Sequence, residues 1–243
     1  MIGKDTMYSL PLLVSFPRQQ ESVEIIKEEL GLDQRESDLA NELFEKGLPV
    51  LASPECLPYM FGISHRLIGL MEAKTHLFYR IYTVGKVGGG LREIQAPRRF
   101  LKIIQTWINE YICTKASPPE CVTGFVRGRS IFDNARVHAG GGNLMVVDIE
   151  DFFPSITFEK VERVFASFGF PPGVARQLAA LCCLHNRLPQ GAPTSPAIAN
   201  LVCKPLDEKL LELAKDWGAK YSRYADDLSF SGPVRFDNTH KSS

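Results

Sequence analysis

Two apolar runs in this chain of 243 residues close on acid, and a third begins on it. Residues 143–149 read as a strand of buried character that carries Asp148 near its end. Residues 219–224 form a second apolar segment, Asp226 and Asp227 follow at once, and 228–231 resume a strand, so 219–231 reads as a hairpin with carboxylates at its turn. Few folds satisfy this spacing: the acidic ends should meet on the same rim of one sheet. Carboxylates held within about 4 Å repel by roughly 4 kcal/mol at an effective dielectric near 20, so the cluster is destabilising unless a cation sits among them.

The rest of the chain supplies helices to pack that sheet. Residues 22–46 read as a helix or helix pair broken at Gly31, with Val23, Ile26, Leu30, Leu39 and Leu43 three or four apart, and Pro49, Pro54 and Pro58 punctuate a connector. A short helix is expected over 62–73. From Phe78 the period changes to two, four glycines fall within residues 85–90, and 91–95 resumes a strand, giving a hairpin with a basic, glycine-rich tip. Pro97 is expected to open a helix to about Cys113. Further helices are predicted over 157–168, from Pro171 or Pro172 to about His185, and from Ser195 or Pro196 to about Trp217, the last preceded by a Gly- and Pro-rich loop over 188–194.

Composition bounds the class. With 44% apolar and 23% charged residues, the chain is long enough and apolar enough to bury a core. No apolar run approaches the roughly 20 residues that span a bilayer, and residues 1–18 lack the layout of a secretory leader, so a cytoplasmic protein without membrane contact is expected. The six cysteines, Cys56, Cys113, Cys121, Cys182, Cys183 and Cys203, form no C-x-x-C pair and read as reduced, largely buried thiols. Cys182, Cys183 and His185 lie close together, but an apolar helical turn with no partner ligand pair argues against zinc.

Formal net charge is zero, yet the charge is sorted: residues 21–60 hold ten acids and three bases, and residues 61–143 hold twelve bases and five acids. A basic face suited to phosphate is compatible with this, although solvated helices show similar runs.

Oxygen-only ligands favour magnesium, and two such ions about 3.5 to 4 Å apart serve in-line displacement at phosphorus. An aspartate in a turn is also a plain structural residue, so Tyr224-Ala225-Asp226-Asp227 alone does not decide. Over roughly 79–231 the chain resembles the reverse transcriptase family, whose blocks appear in order. They are the hairpin from Gly85-Lys86 through Leu91-Arg92-Glu93-Ile94, then Gly124-Phe125-Val126-Arg127-Gly128-Arg129-Ser130-Ile131, then Val147-Asp148-Ile149-Glu150-Asp151-Phe152-Phe153-Pro154-Ser155-Ile156. Leu188-Pro189-Gln190-Gly191-Ala192-Pro193-Thr194-Ser195-Pro196 and Tyr224-Ala225-Asp226-Asp227 complete the set. Asn134-Ala135-Arg136-Val137-His138 is similar to the Asn-Ala-x-x-His signature of bacterial retron enzymes; group II intron and other defence-associated relatives share the remaining blocks.

The resemblance implies an α+β polymerase right-hand fold, fingers plus palm, in which an antiparallel sheet carries packed helices. It divides the chain into an N-terminal helical extension (1–75), fingers (76–142), palm (143–231) and a polar, disordered tail (232–243). It implies RNA-directed DNA synthesis with two Mg2+ ions held by Asp148, the Ile149 carbonyl, Asp226 and Asp227, the last as the weaker ligand. Nucleotide binding is implied for Lys86, Arg92, Asp151, Phe152, Phe153 and Gln190. Arg92 would clamp the triphosphate through its planar fork, the backbone amides of Asp151 and Phe152 would approach the phosphates, and Phe153 would be the aromatic gate against a ribose 2′-hydroxyl, with a core phenylalanine as the alternative. Arg127 and Arg129 would touch template backbone. Asn134 and His138 carry the retron likeness, and a packed helix histidine is the other reading of His138.

Implied partners are an RNA template and primer, the RNA–DNA hybrid, deoxynucleoside triphosphates, and in antiphage defence an effector protein. A full member of the family continues into a primer-gripping hairpin and a helical thumb, and neither is legible in 232–243. The thumb is therefore expected to be absent, to be supplied by a second chain if the protein polymerises, or to leave an RNA-binding protein inactive alone. A subunit that kept the fold for protein contacts is a third reading, disfavoured by the carboxylates. Val122-Thr123-Gly124 resembles a retron thumb signature in the wrong place and is taken as coincidence.

Overall fold

The computed structural model describes residues 20–85 and 89–233. Lys86 and nearly all of the expected tail lie outside the described residues.

Helical packing dominates the first part of the chain. Helix α1 (Gln20–Leu30) turns through Gly31, whose φ of 58° suits glycine, into α2 (Gln34–Glu45). A capping box starts α2: the Asp33 carboxylate accepts from the Glu36 amide at 2.8 Å, and the Glu36 carboxylate accepts from the Asp33 amide at 3.1 Å. The proline-punctuated connector contains a short helix unforeseen from the sequence, α3 (Cys56–Phe61), before α4 (His65–Ala73). Strands β1 (Tyr79–Gly85) and β2 (Leu91–Pro97) pair antiparallel from Tyr79↔Pro97 to Gly85↔Leu91, forming the expected hairpin. Pro97 ends the ladder instead of opening the helix, and α5 (Arg99–Tyr111) begins two residues later; proline lacks the amide an interior strand position needs and is tolerated at a strand end.

The remaining elements are α6 (Ile131–His138), β3 (Asn143–Asp148), α7 (Phe158–Ser167), α8 (Pro172–Cys182), α9 (Ser195–Asp216), β4 (Lys220–Tyr224) and β5 (Asp227–Gly232). Strands β3, β5 and β4 form a three-stranded antiparallel sheet in that order. The architecture is α+β, as expected.

Two apolar clusters hold it together. The larger joins Ile26 of α1, Leu43 of α2, Met71 of α4, Ile104 of α5 and Leu178 of α8, all fully buried; each such side chain stabilises by about 1.5–3 kcal/mol relative to exposure. The smaller lies between the sheet and α9 and holds Val122, Ala214, Tyr221 and Phe230. The chain from 121 to 138, placed by the sequence reading in the finger segment, packs on the sheet: Val122 bridges Arg223, and α6 lies against β4.

One expectation is overturned. The strand over 143–149 is not buried, for Leu144 is 61% and Val146 56% exposed. Strand β3 is an edge strand with β5 as its one ladder neighbour among the described residues, and only its opposite face, through Met145, reaches the smaller cluster. Apolar composition does not distinguish a strand covered on both faces from one covered on a single face. All six cysteines are buried free thiols. No helix among the described residues is long and apolar enough to cross a membrane.

Candidate active site

The carboxylates meet where the sequence spacing demands. Tyr224 and Asp227 are paired across β4 and β5, so Ala225 and Asp226 form a two-residue turn, and Asp227 is in turn paired with Asp148 at the end of β3. Directly opposed residues of antiparallel strands project to one face with Cβ atoms about 5 Å apart, which puts Asp148 and Asp227 within side-chain reach. Asp226 stands beside them on the turn, and its carbonyl accepts from the Ile149 amide at 3.0 Å, tying the end of β3 to the hairpin. Ala225 adopts a φ of 58°, a left-handed conformation that suits so short a turn.

The three charges sense one another. The Asp227 carboxyl is held above the usual carboxylate range, first by partial burial and then by the negative charges of Asp226 and Asp148. None of the three is ion-paired among the described residues. Oxygen donors of this kind fit a hard divalent cation, and the raised Asp227 value marks negative charge that such a cation would relieve. As they stand, no three acidic, imidazole or thiol side chains among the described residues already close around a common point. The strand register brings the carboxylates together without forming a finished cage.

Beside the carboxylates opens a cleft of about 430 Å³, whose lining includes Arg92, Asp148, Ile149, Asp151, Phe152, Phe153, Gln190 and Asp226. Thus eight of the residues singled out from sequence face one space. Arg92 is exposed on β2. The loop carrying Gln190 is fastened to the same strand: the Gln95 amide donates to the Gln190 carbonyl at 2.8 Å, and a Cβ on Gly191 would stand 2.9 Å from Ile94 Cγ2 and 3.2 Å from the Gln95 carbonyl oxygen. Asp151, with φ of 49°, is exposed and accepts from the Ser155 amide at 2.7 Å, closing the turn that aims Phe152 and Phe153. Phe152 is buried; Phe153 is half-buried, its ring 5.2 Å from Phe152 and 5.9 Å from Phe125.

Leu91, Glu93 and Gln95 also line the cleft, and Phe125 flanks Phe153; the sequence reading assigned none of them a role at the site. Strand period would not have selected them, since 91, 93 and 95 share one face of β2 while Arg92, which also borders the cleft, lies on the other.

Two other groups take up positions the motifs alone did not define. Arg127 is exposed, whereas Arg129 Nη1 donates to the carbonyls of Pro119, Glu120 and Val122, which commits that side of the guanidinium to its own loop. His138 is bonded through both ring nitrogens, Nδ1 with Ser231 Oγ and Nε2 with Ser222 Oγ, each at 2.7 Å, and Asn134 accepts from Ser222 and Thr123 at 2.6 and 3.0 Å. Ser231 lies on the β5 face that carries Asp227, so α6 is fastened to the carboxylate-bearing face of the sheet. Thr123 and Gly124, set aside as coincidence with a motif elsewhere, contact the hairpin directly: both amides donate to the Arg223 carbonyl, at 2.8 and 3.4 Å.

Residues 84–235 match the family model described as "Reverse transcriptase (RNA-dependent DNA polymerase)". The chain is 41% identical over 187 residues to the Retron Ec86 reverse transcriptase of Escherichia coli, an alignment covering 76% of this chain and 58% of that protein. It is 36% identical over 212 residues to the Retron Mx162 reverse transcriptase of Myxococcus xanthus (76% and 43% covered). Against the Retron Mx65 reverse transcriptase of the same organism it is 35% identical over 218 residues (79% and 50%). The chain therefore spans about half the length of the curated relatives it matches.

Proposed function

Because the chain belongs to the reverse transcriptase family and sits with its retron-type members, we propose that its carboxylate cluster serves RNA-directed DNA synthesis, adding deoxynucleotides to a primer 3′ end. The register that sets Asp148 opposite Asp227, beside a cleft lined by Arg92, Phe153 and Gln190, is the observation that carries this reading.

In this proposal Asp148, Asp226 and Asp227, with the Ile149 carbonyl, are the ligands of two magnesium ions. When bound, such ions would supply the positive charge that lowers the pKa of an attacking primer hydroxyl and offsets the charge of the departing pyrophosphate. The chain's own residues do the rest. Arg92 donates its fork to the triphosphate, and the amides of Asp151 and Phe152 approach the same phosphates. Phe153, in contact with Phe152 and Phe125, excludes a ribose 2′-hydroxyl from the cleft it borders. Gln190, anchored through its backbone to β2, packs beside the incoming sugar and base. Arg127 contacts template backbone without reading sequence. A small RNA-linked DNA product and a place in antiphage defence with an effector protein rest on the retron likeness and are proposed on that footing.

Primer extension on an RNA template with Mg2+ and deoxynucleoside triphosphates tests the reading with the full chain. Template-dependent extension is expected when a thumb-bearing chain is supplied with it, and Asp226→Ala with Asp227→Ala should abolish it. Extension that survives the double substitution overturns the mechanism; RNA binding with no extension by the unsubstituted chain, even beside a thumb-bearing chain, favours the non-polymerising alternative.

A further inference from the structure

Arg223, one residue before Tyr224, is a fully buried charged side chain that the chemistry above does not use. Its Nε and Nη2 donate to the two carboxylate oxygens of Asp207 on α9, at 2.8 and 2.7 Å, and Asp207 is likewise fully buried. Tyr221 Oη donates to the same carboxylate at 2.8 Å. A buried ion pair is poor evidence of stabilisation, because apolar residues of similar volume usually hold a core as well. What an apolar pair cannot do is donate, and here Nη1 has two further acceptors: Asn200 Oδ1 and the carbonyl of Ala225, each at 3.0 Å.

The second acceptor matters for the site. The Ala225 carbonyl belongs to the peptide plane that carries the Asp226 amide, and Ala225 is held at a φ of 58°. Fixing that carbonyl fixes the plane and hence the direction in which Asp226 leaves the turn. Asn200 extends the restraint, since its Nδ2 donates to the Gly124 carbonyl at 3.0 Å, and Gly124 abuts the backbone of Ala225. The guanidinium carbon also lies 6.0 Å from the centroid of the Phe152 ring, which borders the cleft. One planar fork thus joins α9, the Ala225–Asp226 turn and the aromatic wall, a task for which a lysine's single point charge is unsuited.

We propose that Arg223, oriented by Asp207, is a positioning residue for the metal-binding carboxylates, holding the 225–226 peptide so that Asp226 is aimed at its cation. The inference rests on the carboxylates being cation ligands, as proposed above.

Binding of Mn2+ to the full chain, followed by electron paramagnetic resonance, tests it without relying on turnover. Two variants are compared with the unsubstituted protein: Arg223→Lys, which keeps a charge for Asp207, and Arg223→Met with Asp207→Leu, which replaces the pair by apolar bulk. Loss of a group that orients a ligand typically weakens metal binding by roughly 10- to 100-fold, and that loss is expected in the folded fraction of either variant, with the double variant melting near the unsubstituted protein. Unchanged Mn2+ affinity in a folded variant overturns the proposal, as does failure of both variants to fold, which would assign Arg223 to stability alone. If the unsubstituted chain binds no Mn2+, or Asp226→Asn binds it equally well, the carboxylate reading itself falls; unchanged Arg223 variants beside a sensitive Asp226→Asn strike only the positioning role.

Discussion

Gly124 lies so close to the Ala225–Asp226 turn that a Cβ built on it would stand 2.2 Å from the Ala225 amide nitrogen and 2.9 Å from the Tyr224 carbonyl carbon. Both neighbours are backbone, so neither can rotate away. Gly124→Ala should therefore displace the turn that carries Asp226. The expected outcome is a destabilisation of about 1–3 kcal/mol in urea denaturation, and a loss of extension rate on the order of 100-fold in the fraction that stays folded. Wild-type rates in a folded Gly124→Ala protein would show that the turn does not need this contact.

Asp227 yields a prediction of opposite sign for stability and activity. Its folded pKa lies above the ordinary 3.8, so the folded chain holds this proton more tightly than the unfolded chain does. Ionisation therefore weakens the fold as pH rises from about 3.8 through the folded value, and the penalty persists at neutral pH. Asp227→Asn should raise the melting temperature of the metal-free protein at pH 7 by a small increment, worth less than about 1 kcal/mol because the carboxyl is largely solvated. Extension should fall in the same variant. Thermal melts with and without Mg2+ check it, the advantage of the variant shrinking as the ion is added.

Phe153 borders the cleft with its ring held between Phe152 and Phe125. Truncation to alanine should open space for a 2′-hydroxyl and raise ribonucleotide incorporation relative to deoxynucleotide by roughly 10- to 100-fold, the range that steric discrimination of small groups supplies. Competing rNTP and dNTP pools in primer extension measure the ratio, and an unmoved ratio would remove Phe153 from sugar selection.

His138 links pH to the sheet. Burial, and then the nearby Lys220 charge, lower its pKa below 6.5, so the unfolded chain takes up the proton first and stability falls as pH drops from about 6.5 through the folded value. His138→Gln should abolish that slope while costing about 1 kcal/mol for each serine hydrogen bond it fails to replace. Melting temperatures from pH 8 to pH 5 separate the two effects; parallel curves for both proteins would show that His138 is not the titrating group.

The carboxylate rim was legible because strand period and motif order are local properties: Asp148, Asp226 and Asp227 needed only apolar runs and turn chemistry to be placed. The cleft followed from motif position for Arg92, Phe153 and Gln190. What escaped the sequence was pairing across long separations. Asp207 and Asn200 look like ordinary polar positions of α9, although their spacing of seven puts them on one helix face, and nothing adjacent to Arg223 announces that its fork is spent inside the core. The exposure of Leu144 and Val146 was equally hidden, because an apolar strand reports that it packs, not on how many sides. Arg129 matches its motif and still turns its guanidinium toward its own loop.

The three carboxylates stand on unequal supports. Asp226 and Asp227 belong to a hairpin whose second strand is the centre of the sheet, while Asp148 ends a strand that, among the described residues, has a ladder along one border. Asp148 is therefore held laterally by the hairpin itself, through the β5 ladder and the Ile149 amide on the Asp226 carbonyl, so that a displaced turn carries all three acids with it.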